Sequence, residues 1–449
     1  MHISKDSILE EIPSVDRLKN KILSFRARCK LQDEWLVNRL DTVLPAVMKR
    51  SEIDCWVVCN KEYNEDPVFA SLSPASMMTA RRLTILLFHL KKDGTLERFA
   101  LTHPIPDIGR FYAPLWTNPK GQAWGKLDVT PAYPAEEPET QLECLARVLK
   151  EMNPEKIGLD LSSTFAYADG LSHTLYTEIL NVLDEESKAK IVSAENVAIG
   201  WLETRSEAEL AAYNGIIDIA HSLIAEAFSN HVILPGVTTN DDVRFWMMQK
   251  VIDLGLQPWF DYECSIIRGK EGEIDGEAVI LPGDLLHCDV GFRYLGLCTD
   301  TQENTYILKP GEDDVPEDLR HAMETVNRLQ DITLSCFEVG KTGNEILAEA
   351  LAKAKEEGIT ACIYSHPLGF HGHAAGPTIG LWDKQGGVPG SGDYPMYDNT
   401  CYSLELNCTV NAPEFTGGKL RLGAETDVMV KDGKAYYMAG RQTSFHLVR

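Results

Sequence analysis

Helix starts and strand-like runs follow one another in a regular order through the second half of the chain. Ser206-Glu-Ala-Glu209 has the capping-box pattern, a hydroxyl followed three residues later by a carboxylate, and predicts a helix to about Asn230. Pro235-Gly236 turns the chain, and Thr239-Asn-Asp-Asp242 opens a second helix that stops at Gly255. From 266 to 308 the pattern becomes short apolar runs broken at 269–276 and at Pro282-Gly283, which predicts a strand meander. Two more helices follow, at about 315–337 and 343–357; the second has the box Thr342-Gly-Asn-Glu345 and ends before Gly358. A last strand-rich region completes the chain. Helix pair plus strands thus occurs twice, as an internal duplication would give, without a matching sequence repeat.

The first half is less regular. Runs at 53–59, 83–88 and 156–160 read as strands. Residues 140–151 read as a helix, with Leu142, Leu145, Val148 and Leu149 on one face. The Pro-, Ala- and Glu-rich stretch 131–138 is a loop. This mixture predicts an α/β domain over 1–196, followed by a second domain over 197–449, with the boundary near 190–205. A length of 449 residues is in any case more than one typical core accommodates.

Composition narrows the function. A net charge of −24 argues against nucleic acid, whose phosphates require clustered Lys and Arg. No apolar run approaches membrane-spanning length, and Met1-His-Ile-Ser-Lys-Asp-Ser lacks the apolar segment of a signal peptide. Eleven cysteines, an odd number without metal-finger spacing, fit a reduced, cytoplasmic protein. Cys288, Cys298 and Cys408 lie close to the acids discussed next and are expected to be buried thiols.

Asp289 and Asp300 stand 11 residues apart in an apolar stretch, His366 opens His366-Pro-Leu-Gly369, and Glu405 and Glu425 each interrupt a strand-like run. Alone, each has an ordinary reading: a cap, an Arg partner, a satisfied core histidine. Together, four acids in apolar strands are costly to bury without compensating charge, and Arg293 and Arg421 are the nearest cations. Four carboxylates and an imidazole carry −4, which two divalent ions (Mn, Co, Zn or Fe) would cancel. Two such ions, roughly 3.5–4 Å apart, activate a shared water and polarise a carbonyl, which is amide hydrolysis. The loop 385–392 is glycine-rich but lacks the Lys-Ser/Thr ending of a phosphate cradle and reads as a flexible rim. Trp259, Phe260, Tyr262, Trp382 and Tyr394 are either pocket wall or core.

His373 lies seven residues after His366, with Gly369 between them, and Leu202-Glu-Thr-Arg-Ser-Glu-Ala-Glu-Leu210 forms the linker into, and the start of, the first helix of the second domain. This order resembles the pita-bread metallopeptidases, the family of methionine aminopeptidase, aminopeptidase P, prolidase and the metal-free creatinase. The likeness covers about 197–449. It implies an α/β N-terminal domain plus an α+β pita-bread catalytic domain, and a homodimer. It further implies that Asp289 holds one ion, that Asp300 and Glu425 bridge, and that His366 and Glu405 complete the other shell. By the same resemblance Glu405 is the general base for a metal-bridged hydroxide and His373 contacts the substrate carbonyl, with His371 a second substrate-binding candidate. The substrate would be a small peptide, cut at its N-terminal residue or, as a dipeptide, at an Xaa-Pro bond.

The chain also departs from that family. Asp300-Thr-Gln-Glu-Asn304 stands where Asp-x-Thr-Arg-Thr is usual, and Leu406-Asn407 where Pro-Gly is common. Gly423 replaces the Arg two residues before the last glutamate, and no histidine between Ile267 and Leu286 matches the upstream substrate contact, Glu273 or Asp275 occupying that region. Gln302 is placed to hydrogen-bond a ligand carboxylate. These changes leave two alternatives open: a lyase or non-peptide amidohydrolase on the same fold, and, behind it, a binding protein that has lost catalysis.

Overall fold

A computed structural model describes residues 14–105, 107–121 and 126–449; the first seven residues, considered above as a leader, lie outside them. Two compact units emerge, Phe25–Ser206 and Glu207–Arg449, the latter joined by the described residues up to Ser24. Among the described residues no helix is long and apolar enough to cross a membrane.

Phe25–Ser206 is built on a six-stranded mixed sheet. Its order is Ala113–Pro114, Leu96–Leu101, Leu83–Leu90, Cys55–Lys61, Ile157–Leu159, Ile191–Ser193. The central strands are continuous apolar runs because both faces are covered. The helix Gln141–Met152 has the Thr140–Glu143 capping box and buries Leu145, Val148 and Leu149. The unit opens with a 26-residue helix, Phe25–Arg50, that the sequence pattern did not reveal. Its buried side includes Asp33 and Arg39, and Pro45 lies within it, so no clean apolar stripe exists to be read. Arg39 is accommodated by donating to the carbonyls of Trp201 and Thr204 and lying 4.3 Å from the Trp201 ring centroid.

The second unit contains the duplication as topology. Helices Glu207–Ala227 and Asn240–Asp253 precede strands Glu263–Arg268, Leu285–Val290 and Thr301–Ile307; helices Glu317–Leu334 and Gly343–Glu356 precede Thr360–Ile363, Thr400–Ala412 and Gly418–Lys431. Of these three strands in each half, the first lies farthest from the centre, the second in the middle and the third at the centre, with the short Gly272–Glu273 strand added outside Glu263–Arg268. The halves meet where the Thr301–Ile307 and Gly418–Lys431 strands pair, at Gln302 opposite Glu425. One face of the sheet packs on the helices through a core that includes Leu319, Val326, Leu347, Leu404 and Leu406; the other face carries the polar residues. The eleven cysteines are free thiols and, Cys362 apart, buried.

Glu303, the residue in place of the usual Arg, points away from Gln302 and is buried. His221 lies 2.6 Å from one of its oxygens, and His446 contacts the other, so it ties the first helix of the unit to the C-terminal strand. Burial alone would raise its carboxyl, yet the two histidine hydrogen bonds outweigh that and bring it down to about 2. Glu303→Ala is therefore expected to destabilise the chain by about 2–3 kcal/mol, read from the urea midpoint at pH 7. The contribution of the depressed carboxyl is present above its unfolded value of 4.5 and is lost as pH falls through about 2. An unchanged midpoint at pH 7 would show that the two contacts contribute nothing.

Candidate metal centre

Strand register brings the site together. Side chains alternate faces along a strand, so residues opposite one another and two apart line one surface. Asp289 pairs with Gln302, Gln302 with Glu425, and Glu425 with Glu405, forming a row across four strands. A parallel row runs from His366 through Ser403 to Asp427, whose carboxylate accepts the backbone N–H of Asp300 at 3.3 Å. The two rows enclose the ligand types anticipated from the sequence. His366 Nε2 lies 3.5 Å from Asp300, 3.6 Å from Glu425 and 3.8 Å from Glu405.

Three groups of donors lie within a metal's reach: Asp289, Asp300 and Glu425; His366, Glu405 and Glu425; and Asp300, His366 and His373. The residues fit two cations because their lone pairs are left over. Asp289 Oδ1, Glu425 Oε2 and His366 Nε2 are buried without a hydrogen-bond partner. The His366 Nδ1–H donates to the Pro367 carbonyl at 3.0 Å, which leaves the Nε2 lone pair facing the carboxylates. Ser403 donates to the other Glu425 oxygen. Burial first, then the charge of Glu425, pushes the Asp289, Asp300 and Glu405 carboxyls well above their usual range. Burial likewise raises Glu425, to about 7, against the hydrogen bond from Ser403. Desolvation lowers His366 to about 4, so its imidazole is neutral. Acids that resist joint ionisation and a neutral imidazole are the donor set two divalent ions stabilise.

His373 lies at the edge of this cluster, its ring centroid 4.6 Å from that of His366 and 5.5 Å from that of Trp259. Its own pKa is pushed down to about 4 by desolvation and then by His366. A Cβ on Gly372 would fall 2.1 Å from the Trp259 ring, so only glycine lets the loop pass. His371 is half-buried, closes the turn by accepting the Gly369 N–H at 3.0 Å, and belongs to none of the donor groups.

Gln302 is placed as its position suggested: its amide donates to Glu405 at 2.6 Å and reaches Asp289 at 3.5 Å. Its carbonyl faces His287 Nε2 at 2.9 Å, a partnership the sequence did not indicate. Asp427 was missed as well, because a buried Asp accepting a backbone N–H has the same sequence pattern as a ligand. Tyr262 belongs to the site wall, its buried hydroxyl without a partner and under the influence of Asp300 and Asp289. Trp382 instead lies exposed, and Tyr394 packs against Tyr397. The 385–392 segment is not a loose rim: Gln385 bonds the backbone of Ile363, and Asn344 bonds that of Val388.

Residues 215–432 match the model of metallopeptidase family M24. This segment is an M24 domain. Among curated proteins none matches the chain. Solved structures show the same fold over nearly the whole length. The X-Pro aminopeptidase of Thermotoga maritima superposes with TM-score 0.60 at 17% identity, covering 90% of this chain and 100% of that one. The Xaa-Pro dipeptidase of Bacillus anthracis gives 0.59 at 16%, covering 92% and 99%. Zinc-substituted aminopeptidase P of E. coli, solved with product, gives 0.55 at 13%, covering 93% and 96%. The M24 domain and its antiparallel sheet have the pita-bread architecture, and the α/β unit precedes it as expected.

Proposed function

We propose that this protein is a two-metal peptidase acting on small peptides, removing an N-terminal residue or splitting dipeptides at Xaa-Pro bonds. The observation that carries this reading is the convergence of Asp289, Asp300, His366, Glu405 and Glu425 on one face with unused lone pairs. Asp289, Asp300 and Glu425 would hold one ion and His366, Glu405 and Glu425 the other, with Asp300 within reach of both groups. When bound, the ions supply Lewis acidity and lower the pKa of the attacking water. Gln302 fixes Glu405 through one oxygen, so the other, 3.8 Å from His366, is the atom that takes the water's proton and returns it to the leaving amine. His373, neutral at working pH and backed by Trp259, donates its N–H to the oxyanion, and His371 is the second candidate contact. The homodimer and the cytoplasmic setting are part of the same proposal, the first resting on family resemblance and the second on the free thiols.

His373→Ala is expected to lower kcat by about 10²–10³ with metal content unchanged, the effect of removing one oxyanion donor. The reading is tested with Xaa-Pro dipeptides and longer Xaa-Pro peptides presented to Mn- or Co-loaded protein. A metal-loaded chain that cleaves none of them contradicts it. That result would favour the lyase or amidohydrolase alternative, which the Gln302–His287 pair and Gly423 support because they depart from the peptidase pattern.

A further inference from the structure

His287 stands two residues before Asp289 on the same strand, so its side chain emerges on the ligand face. In the apolar run Leu285-Leu286-His287-Cys288 an imidazole is costly unless it is hydrogen-bonded. The register sets His287 opposite Asn304 and diagonal to Gln302, which is opposite Asp289. Diagonal neighbours on adjacent strands are within reach of long side chains, and His287 Nε2 meets Gln302 Oε1 at 2.9 Å.

Chemistry fixes which way each group in this contact points. Glu405 and Asp289, as metal ligands, are ionised and only accept hydrogen bonds. The end of Gln302 that lies 2.6 Å from Glu405 and 3.5 Å from Asp289 is therefore its NH₂. Its carbonyl is then the end at His287. A carbonyl only accepts, so His287 Nε2 carries the hydrogen. Rotated by half a turn, the Gln302 amide would set its oxygen against two carboxylates. Room for the pair comes from Gly423, where a Cβ would lie 3.3 Å from His287 Nε2 and 3.4 Å from Gln302 Oε1. Gly423 is itself held, its carbonyl accepting the Asn304 amide at 2.9 Å. Gln442 in turn bonds the Asn304 backbone at 2.8 and 2.7 Å. His287, Gln302 and Glu405 all border a cavity of about 480 Å³. Without His287 the Gln302 carbonyl would have only cavity water as a partner, and the amide would be free to turn.

We propose that His287 is a positioning residue. By holding the Gln302 carbonyl it aims the Gln302 amide at Glu405 Oε1, and so leaves Glu405 Oε2, 3.8 Å from His366 Nε2, to the metal centre. This rests on the ligand role of Glu405 in the two-metal reading and holds whichever bond is cut. The test titrates the full-length, metal-free chain with Mn in a calorimeter. Leucine suits the apolar run and removes the donor. His287→Leu is expected to weaken the more weakly bound ion by about tenfold, the scale of loss when a group behind a ligand is removed. His287→Gln, with an N–H donor of similar reach, is expected to stay within about threefold of the parent. In a Gln302→Leu background, His287→Leu adds less than about twofold, because the link it acts through is gone. Parent-like Mn binding by His287→Leu overturns the assignment. So does a His287→Gln chain as weak as His287→Leu, or an undiminished effect in the Gln302→Leu background. A parent chain that takes up no Mn overturns both this role and the two-metal reading. If the variants behave as expected while no Xaa-Pro peptide is cleaved, the positioning role stands and the peptidase reading fails. If peptides are cleaved and His287→Leu binds Mn as the parent does, the reverse holds.

Discussion

A Glu425→Gln chain is expected to lose turnover entirely and to hold fewer than two divalent ions. Glu425 is the one residue shared by the Asp289–Asp300 group and the His366–Glu405 group. One of its oxygens receives the Ser403 hydroxyl and the other is buried without a partner. Glutamine keeps the shape but replaces a charged oxygen with an amide N–H₂, which cannot serve two cations. The substitution also removes repulsion among the remaining acids, since Glu425 is the leading charged neighbour raising Asp289, Asp300 and Glu405. The metal-free variant should therefore fold at least as well as the parent, and its loss of activity will not be a loss of structure. Turnover and metal content measured together on the purified variant decide this. Retained turnover would remove Glu425 from the site.

The second large effect concerns stability with and without metal. Adding Mn or Co is expected to raise the melting temperature, and by more at pH 8 than at pH 5. In the metal-free fold the Glu425 carboxyl is pushed up to about 7 from 4.5. Between those values the folded state keeps a proton that the unfolded state has released, so this group favours folding less as pH rises through about 7. Asp289, Asp300, Glu405 and Asp427 shift in the same direction. Bound cations replace those protons and remove the penalty. At a free metal concentration a thousandfold above Kd, one site contributes about 4 kcal/mol. Scanning calorimetry with metal and with chelator at both pH values checks the expectation. A gap that stays level or narrows toward pH 8 would contradict it.

Much of the catalytic unit was legible because its strands are punctuated by glycine and proline turns and its helices by capping boxes. The Thr342–Glu345 and Thr239–Asp242 boxes both form. The ligand types were legible because apolar strands rarely carry acids without a reason. The 11-residue spacing of the two aspartates puts Asp289 on one strand and Asp300 immediately before its antiparallel neighbour, Thr301–Ile307. What escaped were partnerships between residues distant in sequence. Gln302 was expected to support a carboxylate, but its link to His287 depends on the register of two strands. Glu303 looked like a simple departure from pattern until His221 and His446 were seen to flank it. The Phe25–Arg50 helix was hidden for a different reason: its buried side includes charges satisfied by backbone carbonyls, which periodicity cannot register.

The central claim is that one face of this sheet holds two divalent ions. Elemental analysis of the purified chain after reconstitution with Mn or Co, followed by removal of free metal, tests it most directly. Two ions per chain are expected, falling below two in Glu425→Gln. Fewer than about one ion per chain in the parent protein would contradict the dinuclear site.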